Sequence, residues 1–395
     1  MPKVIDKERR EELKSKMLKL LSINGRMSIG NLGKNLKITK PSAYHLFLET
    51  VKEYDLKFVP EIDMSKIWRY EFIKLSRMRT KKEILDEAIE EIPEAGFEEY
   101  VVMFKFLGKQ PKEEEILKAV GGSHMPQFIA TLSGKYNLMM YIVARDYEAM
   151  NRFIVEFSKR LKKPLVSELN RIEGSLGFFP LRNELMQDFN ISETYLSLLL
   201  GLNEDGRQEF ISIAKKFKKE QQGMVYAMDR LKRTGILRRV TYYEGKPKNT
   251  NNAIVQVKIT DYEKFLANRN GYYTEMLNGN GKRHCEYTYM CDISNPQGSY
   301  MLLNFPDKES SRKFFSSLKR SIKGAELTFI PMSKILIGRV GIRDFDMRYS
   351  SQYRALEGAK LVPRFERKED GSIEVESQEQ GIDIQELHGM GEIEN

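Results

Sequence analysis

The chain has 395 residues, 41% of them hydrophobic and 10% aromatic, so it can bury sizeable cores in about two to four domains. No apolar run approaches the roughly 18 residues of a membrane span. The charged start MPKVIDKERREELKSK has no apolar stretch of a secretory signal. The two cysteines, Cys285 and Cys291, supply neither a zinc set nor a disulfide framework, which points to a reducing, cytoplasmic setting. Net charge is +9, but Glu366–Asn395 holds ten acidic and two basic residues, leaving +17 on the first 365. A basic body favours a polyanionic partner, and the acidic tail at 346–395 is expected to be disordered.

In chain order, apolar spacing predicts helices at 7–21, 28–36 and 40–54, the last two joined by a short turn as in a helix-turn-helix. The next segment, 61–98, reads as a strand and a helix carrying Ile84, Leu85, Ala88, Ile89 and Ile92, an inserted spacer. Then follow a strand at 100–107, a helix at 112–120, two strands within 127–144 around a Gly-Lys-Tyr-Asn turn, a helix at 146–161 and a strand at 165–173. This βαββαβ order is ferredoxin-like, with helices over one sheet face and the other face free for a partner.

The same series returns. Helices are predicted near 192–202, 208–217 and 221–234, then strand 253–260, helix 261–277, strands 285–293 and 299–305, helix 307–322 and strand 326–332. At an offset of 181 residues, Gly25-Arg26 aligns with Gly206-Arg207, and Leu32, Leu36, Ala43 and Phe47 with Ile213, Phe217, Met224 and Met228. At an offset of 161, Asp146 aligns with Asp307, Phe153 with Phe314, Gly177 with Gly338 and Arg182 with Arg343. Two stretches matching in the same order suggest a tandem duplication. The expected organisation is therefore α+β. Helix-turn-helix domains at 1–60 and 184–250 alternate with ferredoxin-like domains at 99–183 and 251–345.

The helix at 221–234 sets Met224, Met228 and Leu231 on one face and Gln221, Gln222, Tyr226, Arg230 and Arg233 on the other. A DNA-reading helix needs such a face, with glutamines able to pair with adenine and cations around them for phosphates. Arg238, Arg239, Lys246 and Lys248 follow in the strand and loop expected to form a wing. In the first copy Lys40, Ser42, Tyr44 and His45 take the corresponding positions, while Glu49 stands where the second copy has Arg230 and would repel phosphate. The two copies should then prefer different half-sites.

Order and motifs together resemble the Lrp/AsnC (feast/famine) transcriptional regulators over roughly residues 7–345, twice. The family's Asn-Gly-Arg-x-Ser before the second helix is matched by Asn24, Gly25, Arg26 and Ser28, and its Leu-x3-Gly helix ending by Leu231 and Gly235. Its Gly-x-Tyr-Asp hairpin turn is matched by Gly134, Tyr136 and, with a change, Asn137. The resemblance implies winged helix-turn-helix domains joined to ferredoxin-like effector domains called RAM. It also implies a duplex-DNA partner and an effector of amino-acid class near Gly134, Tyr136 and Asn137. The fused halves would imitate the family's dimer inside one chain of archaeal type, with a homodimer of such chains as a further expectation.

Two other functions compete. Siroheme decarboxylases share this two-part fold and use histidine and arginine around their substrate, yet His124 and His284 have no partner motif here. No catalytic constellation, phosphate loop or metal-spaced cluster is present, so the expectation is a protein that is not an enzyme and holds no cofactor. A protein-interaction or architectural DNA scaffold is the other alternative, separable by salt dependence.

Overall fold

A computed structural model describes residues 7–67, 96–244, 251–261, 263–265, 286–294, 297–305, 307–339, 364–367 and 373–376. The helix of the 61–98 spacer, most of the predicted helix at 261–277, and Lys246, Lys248 and His284 lie outside the described residues.

The first helical unit comprises α1 (Lys7–Ile23), α2 (Ile29–Leu36) and α3 (Lys40–Tyr54). Ser28 caps α2 by accepting from the Asn31 amide, and Thr39 caps α3 by accepting from the Ser42 amide, with Pro41 in the first turn. A strand that sequence reasoning missed, β1 (Leu56–Ile62), follows. The ferredoxin-like series is β2 (Glu98–Phe106), α4 (Glu113–Val120), β3 (Pro126–Leu132), β4 (Leu138–Ala144), α5 (Tyr147–Leu161) and β5 (Leu165–Gly177). A short α6 (Asn183–Met186) leads to the second helical unit, α7 (Glu193–Glu204), α8 (Phe210–Lys216) and α9 (Gln221–Arg233), and then β6 (Leu237–Glu244). The second ferredoxin-like series contains β7 (Asn251–Ile259), β8 (Glu286–Ser294), β9 (Gln297–Phe305), α10 (Lys308–Ser321) and β10 (Ala325–Ile337). Within the tail expected to be disordered, Arg364–Arg367 (β11) pairs with Ile373–Glu376 (β12).

The sheet faces left free in the sequence reading cover one another. All eight ferredoxin-like strands close into one barrel in the order β10-β3-β4-β2-β5-β8-β9-β7. Closure depends on two long strands that change partners midway. The first part of β5 pairs with β2, and from Ile172 onward it pairs with β8. Likewise β10 pairs with β7 up to Pro331, and from Met332 onward with β3.

Strand side chains alternate between faces, which explains the near-continuous apolar runs. Tyr100, Val102 and Phe104 of β2 pack outward against Ile116, Phe153 and Phe157 of α4 and α5. Val101 and Met103 point into the barrel, where they join Phe128, Met139, Tyr141, Leu302 and Ile330. On the other half, Val255, Met301 and Phe305 pack under Phe314 and Leu318 of α10. Asp146 and Asp307, aligned in the sequence, both cap their helices, accepting from the Ala149 amide at 2.7 Å and the Ser310 amide at 2.6 Å.

The helical units are joined by a two-stranded antiparallel sheet of β1 and β6, in which Val59 faces Thr241. Around that pair the contacts are reciprocal. The Gly25 amide donates to the Val240 carbonyl at 2.7 Å, and the Gly206 amide donates to the Phe58 carbonyl at 2.8 Å. Both glycines sit in close quarters. A Cβ on Gly206 would lie 2.6 Å from Val240 Cγ1, and one on Gly25 would lie 3.1 Å from the Val240 oxygen. The two units are thus related by an approximate twofold through the centre of the β1–β6 sheet.

Candidate functional site

The reciprocity continues in two arginines. Arg26 Nη1 donates to the Gly206 carbonyl at 2.7 Å and the Gln208 carbonyl at 2.9 Å, with its guanidinium 4.6 Å over the Phe210 ring. Arg207 reaches back to the Gly25 carbonyl and, at 3.1 Å, to the Met27 carbonyl, while lying 4.7 Å over Phe47 and 5.3 Å over Phe58. Burial lowers the pKa of both guanidinium groups from the ordinary arginine value. They clasp the two units, since each sends its donors to backbone carbonyls of the other unit.

The turns within each unit also match. The Ile38 amide donates to the Gly33 carbonyl and the Lys219 amide to the Ala214 carbonyl, each at 2.9 Å. The residue before each donor, Lys37 and Lys218, is left-handed with φ of 55° and 53°. This is a Schellman-type ending, which turns the chain sharply into the following helix.

On α9, Met224, Ala227, Met228 and Leu231 are buried, while Gln221, Gln222 and Tyr226 face solvent, Tyr226 at 62% exposure. Arg230 is half-buried, and Arg233 is exposed and paired with Asp229 at 2.9 Å. On α3, Lys40, Tyr44 and His45 are exposed, with the two rings edge to face at 6.0 Å. Ser42 is turned back to Thr39 at 2.9 Å. Glu49 is drawn to α1 by Arg10 and by Lys14, the latter at 2.8 Å.

Arg238 and Arg239, expected in a wing, sit in the β1–β6 sheet against carboxylates. Arg239 bonds Glu61 at 2.8 Å, and Arg238 bonds Asp63 at 3.1 Å. Burial pushes the Asp63 carboxyl up, but the charge of Arg238 and a hydrogen bond from Ser65 outweigh it, leaving the value below the ordinary range. Burial holds the neighbouring Glu99 carboxyl, which bonds Tyr141, above its ordinary value despite the charge of Arg238.

Of the hairpin residues expected to hold an effector, Gly134 is exposed with φ of 106°. Asn137 serves the hairpin itself, its Oδ1 accepting from the Phe106 amide at 2.9 Å. Tyr136 is buried and donates to Glu168, and so leads into a polar cluster that sequence reasoning missed. Glu168 also accepts from Gln256 at 2.8 Å and from Tyr300 at 3.0 Å, and Asn170 Nδ2 donates to the Tyr300 hydroxyl at 3.0 Å. Burial raises the Glu168 pKa, but the bonds from Tyr136 and Tyr300 and the charge of Lys135 prevail, leaving it below the usual value. Asn170 Oδ1 is buried and lacks a partner among the described residues.

Lys34, Lys37, Lys215 and Lys218, at or beside the turns, were also missed. Lys34 matches Lys215, and Lys37 matches Lys218, at the 181-residue offset that aligned the helices, so the signal was present.

No protein-family model matches the sequence, and no curated protein matches it. Among solved structures, the chain is similar to the siroheme decarboxylase NirDL at 11% identity, with 88% of this chain covering 99% of that one and a TM-score of 0.51. The complex of that enzyme with an iron-uroporphyrin III analogue matches at 11% identity, 89% and 99% coverage and a TM-score of 0.52. The chain has that fold. An AsnC family transcriptional regulator from Agrobacterium tumefaciens matches 40% of this chain over 87% of its own, at 12% identity and a TM-score of 0.27. The expectation that the chain is not an enzyme is corrected by the NirDL match, because the protein it follows almost end to end is one. Among the described residues, no helix is long and apolar enough to cross a membrane.

Proposed function

We propose that the chain is a sequence-specific duplex-DNA-binding transcription regulator in which two helix-turn-helix units act as an intrachain pseudo-dimer. One observation carries this reading: the clasped pair presents the polar faces of both α3 and α9 to solvent, Gln221, Gln222 and Tyr226 on one and Lys40, Tyr44 and His45 on the other. The glutamines suit adenine edges in a major groove, and the surrounding cations suit phosphates. Tandem duplication, the domain bounds given above and a cytoplasmic setting belong to the same reading. On this reading the barrel is the regulatory part, with Tyr136 and its partner Glu168 as the place where an effector acts. Selection of bound fragments from sheared genomic DNA tests it, with Arg230→Ala/Arg233→Ala in parallel. A motif enriched by the parent and lost in the variant supports the reading, and no enrichment above background overturns it.

The NirDL match favours a second reading, a decarboxylase acting on an anionic tetrapyrrole. The described barrel cluster argues against that substrate at that place, because an ionised Glu168 repels its carboxylates. Incubation with siroheme decides between them: loss of carbon dioxide from the macrocycle establishes the enzyme, and unchanged siroheme after complete binding excludes it.

A further inference from the structure

We infer that one chain grips the backbone of a single duplex at two places at once, through Lys34 and Lys37 on one unit and Lys215 and Lys218 on the other. The inference rests on the DNA reading and adds a set of phosphate contacts to the reading helices.

All four side chains are exposed and, among the described residues, engage no carboxylate, carbonyl or ring. That sets them apart from their neighbours. Lys216 and Lys219, in the same turn as Lys215 and Lys218, are paired with Glu204 and Glu193. Lys14, Arg238 and Arg239 are likewise held by carboxylates. Lys7, Lys40, Lys52 and Lys232 of the helical pair are also exposed without such a partner, but only Lys34 with Lys215 and Lys37 with Lys218 stand at positions equivalent under the twofold.

A twofold rotation keeps equivalent points at the same level along its axis. The two turns therefore lie on the same side of the β1–β6 sheet, and a rod-like polyanion laid across that side meets both. The arginine clasp and the shared sheet fix their separation, so the second contact follows the first without a further loss of translational freedom. Phosphate is the chemistry that suits isolated lysine ammonium groups, and it carries no sequence information.

The test measures binding of the full chain to the duplex enriched by selection, or to sheared genomic duplex, over roughly 50 to 200 mM salt. The variants are Lys34→Gln/Lys37→Asn, Lys215→Gln/Lys218→Asn and all four together; asparagine tolerates the left-handed conformation. The slope of log affinity against log salt should flatten by about 2 in each double variant and about 4 in the quadruple, with preference among sequences unchanged. Unaltered thermal unfolding shows that the variants are folded. A parent that binds with a slope the variants do not change overturns the inference and leaves the DNA reading standing. Flattening in only one double variant overturns the two-point grip. A parent that binds no duplex overturns both.

Discussion

The two helix-turn-helix units share a backbone plan and differ in what they display. Each turn is closed by the same 2.9 Å amide-to-carbonyl bond, and each unit sends an arginine to the other's backbone. Their third helices diverge from the start. Thr39 caps α3 through its side chain, whereas Glu220 at the start of α9 makes no capping bond. Glu49 is tied to α1, whereas the matching position on α9 is Arg230. The glycines and arginines that join the units and the lysines at the turns are kept in both, while the helix cap and the exposed faces of α3 and α9 differ. Shape and surface chemistry are thereby separated.

Four experiments break or sharpen that comparison. The largest effect is expected from the shared part: Arg26→Ala and Arg207→Ala should each destabilise by about 3 kcal/mol, because each leaves two carbonyls without a charged donor. Urea unfolding measures this, and a loss confined to one of them would show that the clasp is not reciprocal. Next, Gln221→Ala/Gln222→Ala should relax the sequence preference of one half-site by about 2 kcal/mol in competition binding and leave the other half-site untouched. Thr39→Ala should cost about 1 kcal/mol in the same urea assay, while Glu220→Thr should be neutral or stabilising, since α9 has no capping bond to lose.

The smallest effect concerns Glu99. Burial raises its folded pKa, so its contribution to stability is complete below the ordinary carboxylate range and is lost as pH rises through the raised value. Glu99→Gln should therefore melt with the parent in acid and a few degrees above it at about pH 8. A variant that melts below the parent at alkaline pH would contradict the burial argument.

Helices and inner strands were legible because period and caps are local. Asp146 and Asp307 announced their helices, and YVVMFKF its strand. β1 was not, since LKFVPEI contains Pro60 and no clean alternation, and its partner β6 is far away in sequence. Both strands of a two-stranded sheet are edges, which is where proline is tolerated. The later parts of β5 and β10 were missed for a related reason: they are strands because the other half supplies a partner. The Glu168 cluster had no sequence signal, because single polar residues on separate strands meet only when the barrel closes.

The NirDL match concerns the fold alone and assigns no role to the exposed faces of α3 and α9 or to the barrel interior. Glu168 and Glu99 are the titratable groups there that the backbone plan alone does not explain.

The crossing-over of β5 and β10 has a consequence for how the polypeptide can be divided. Each half contributes four strands, and each half alone would expose two unpaired edges, at β3 and β5 in one and at β8 and β10 in the other. Those edges are complementary, and the β1–β6 sheet and the arginines add a third seam. A polypeptide split between β5 and α7, produced as two pieces, should therefore find its other piece and rebuild the barrel.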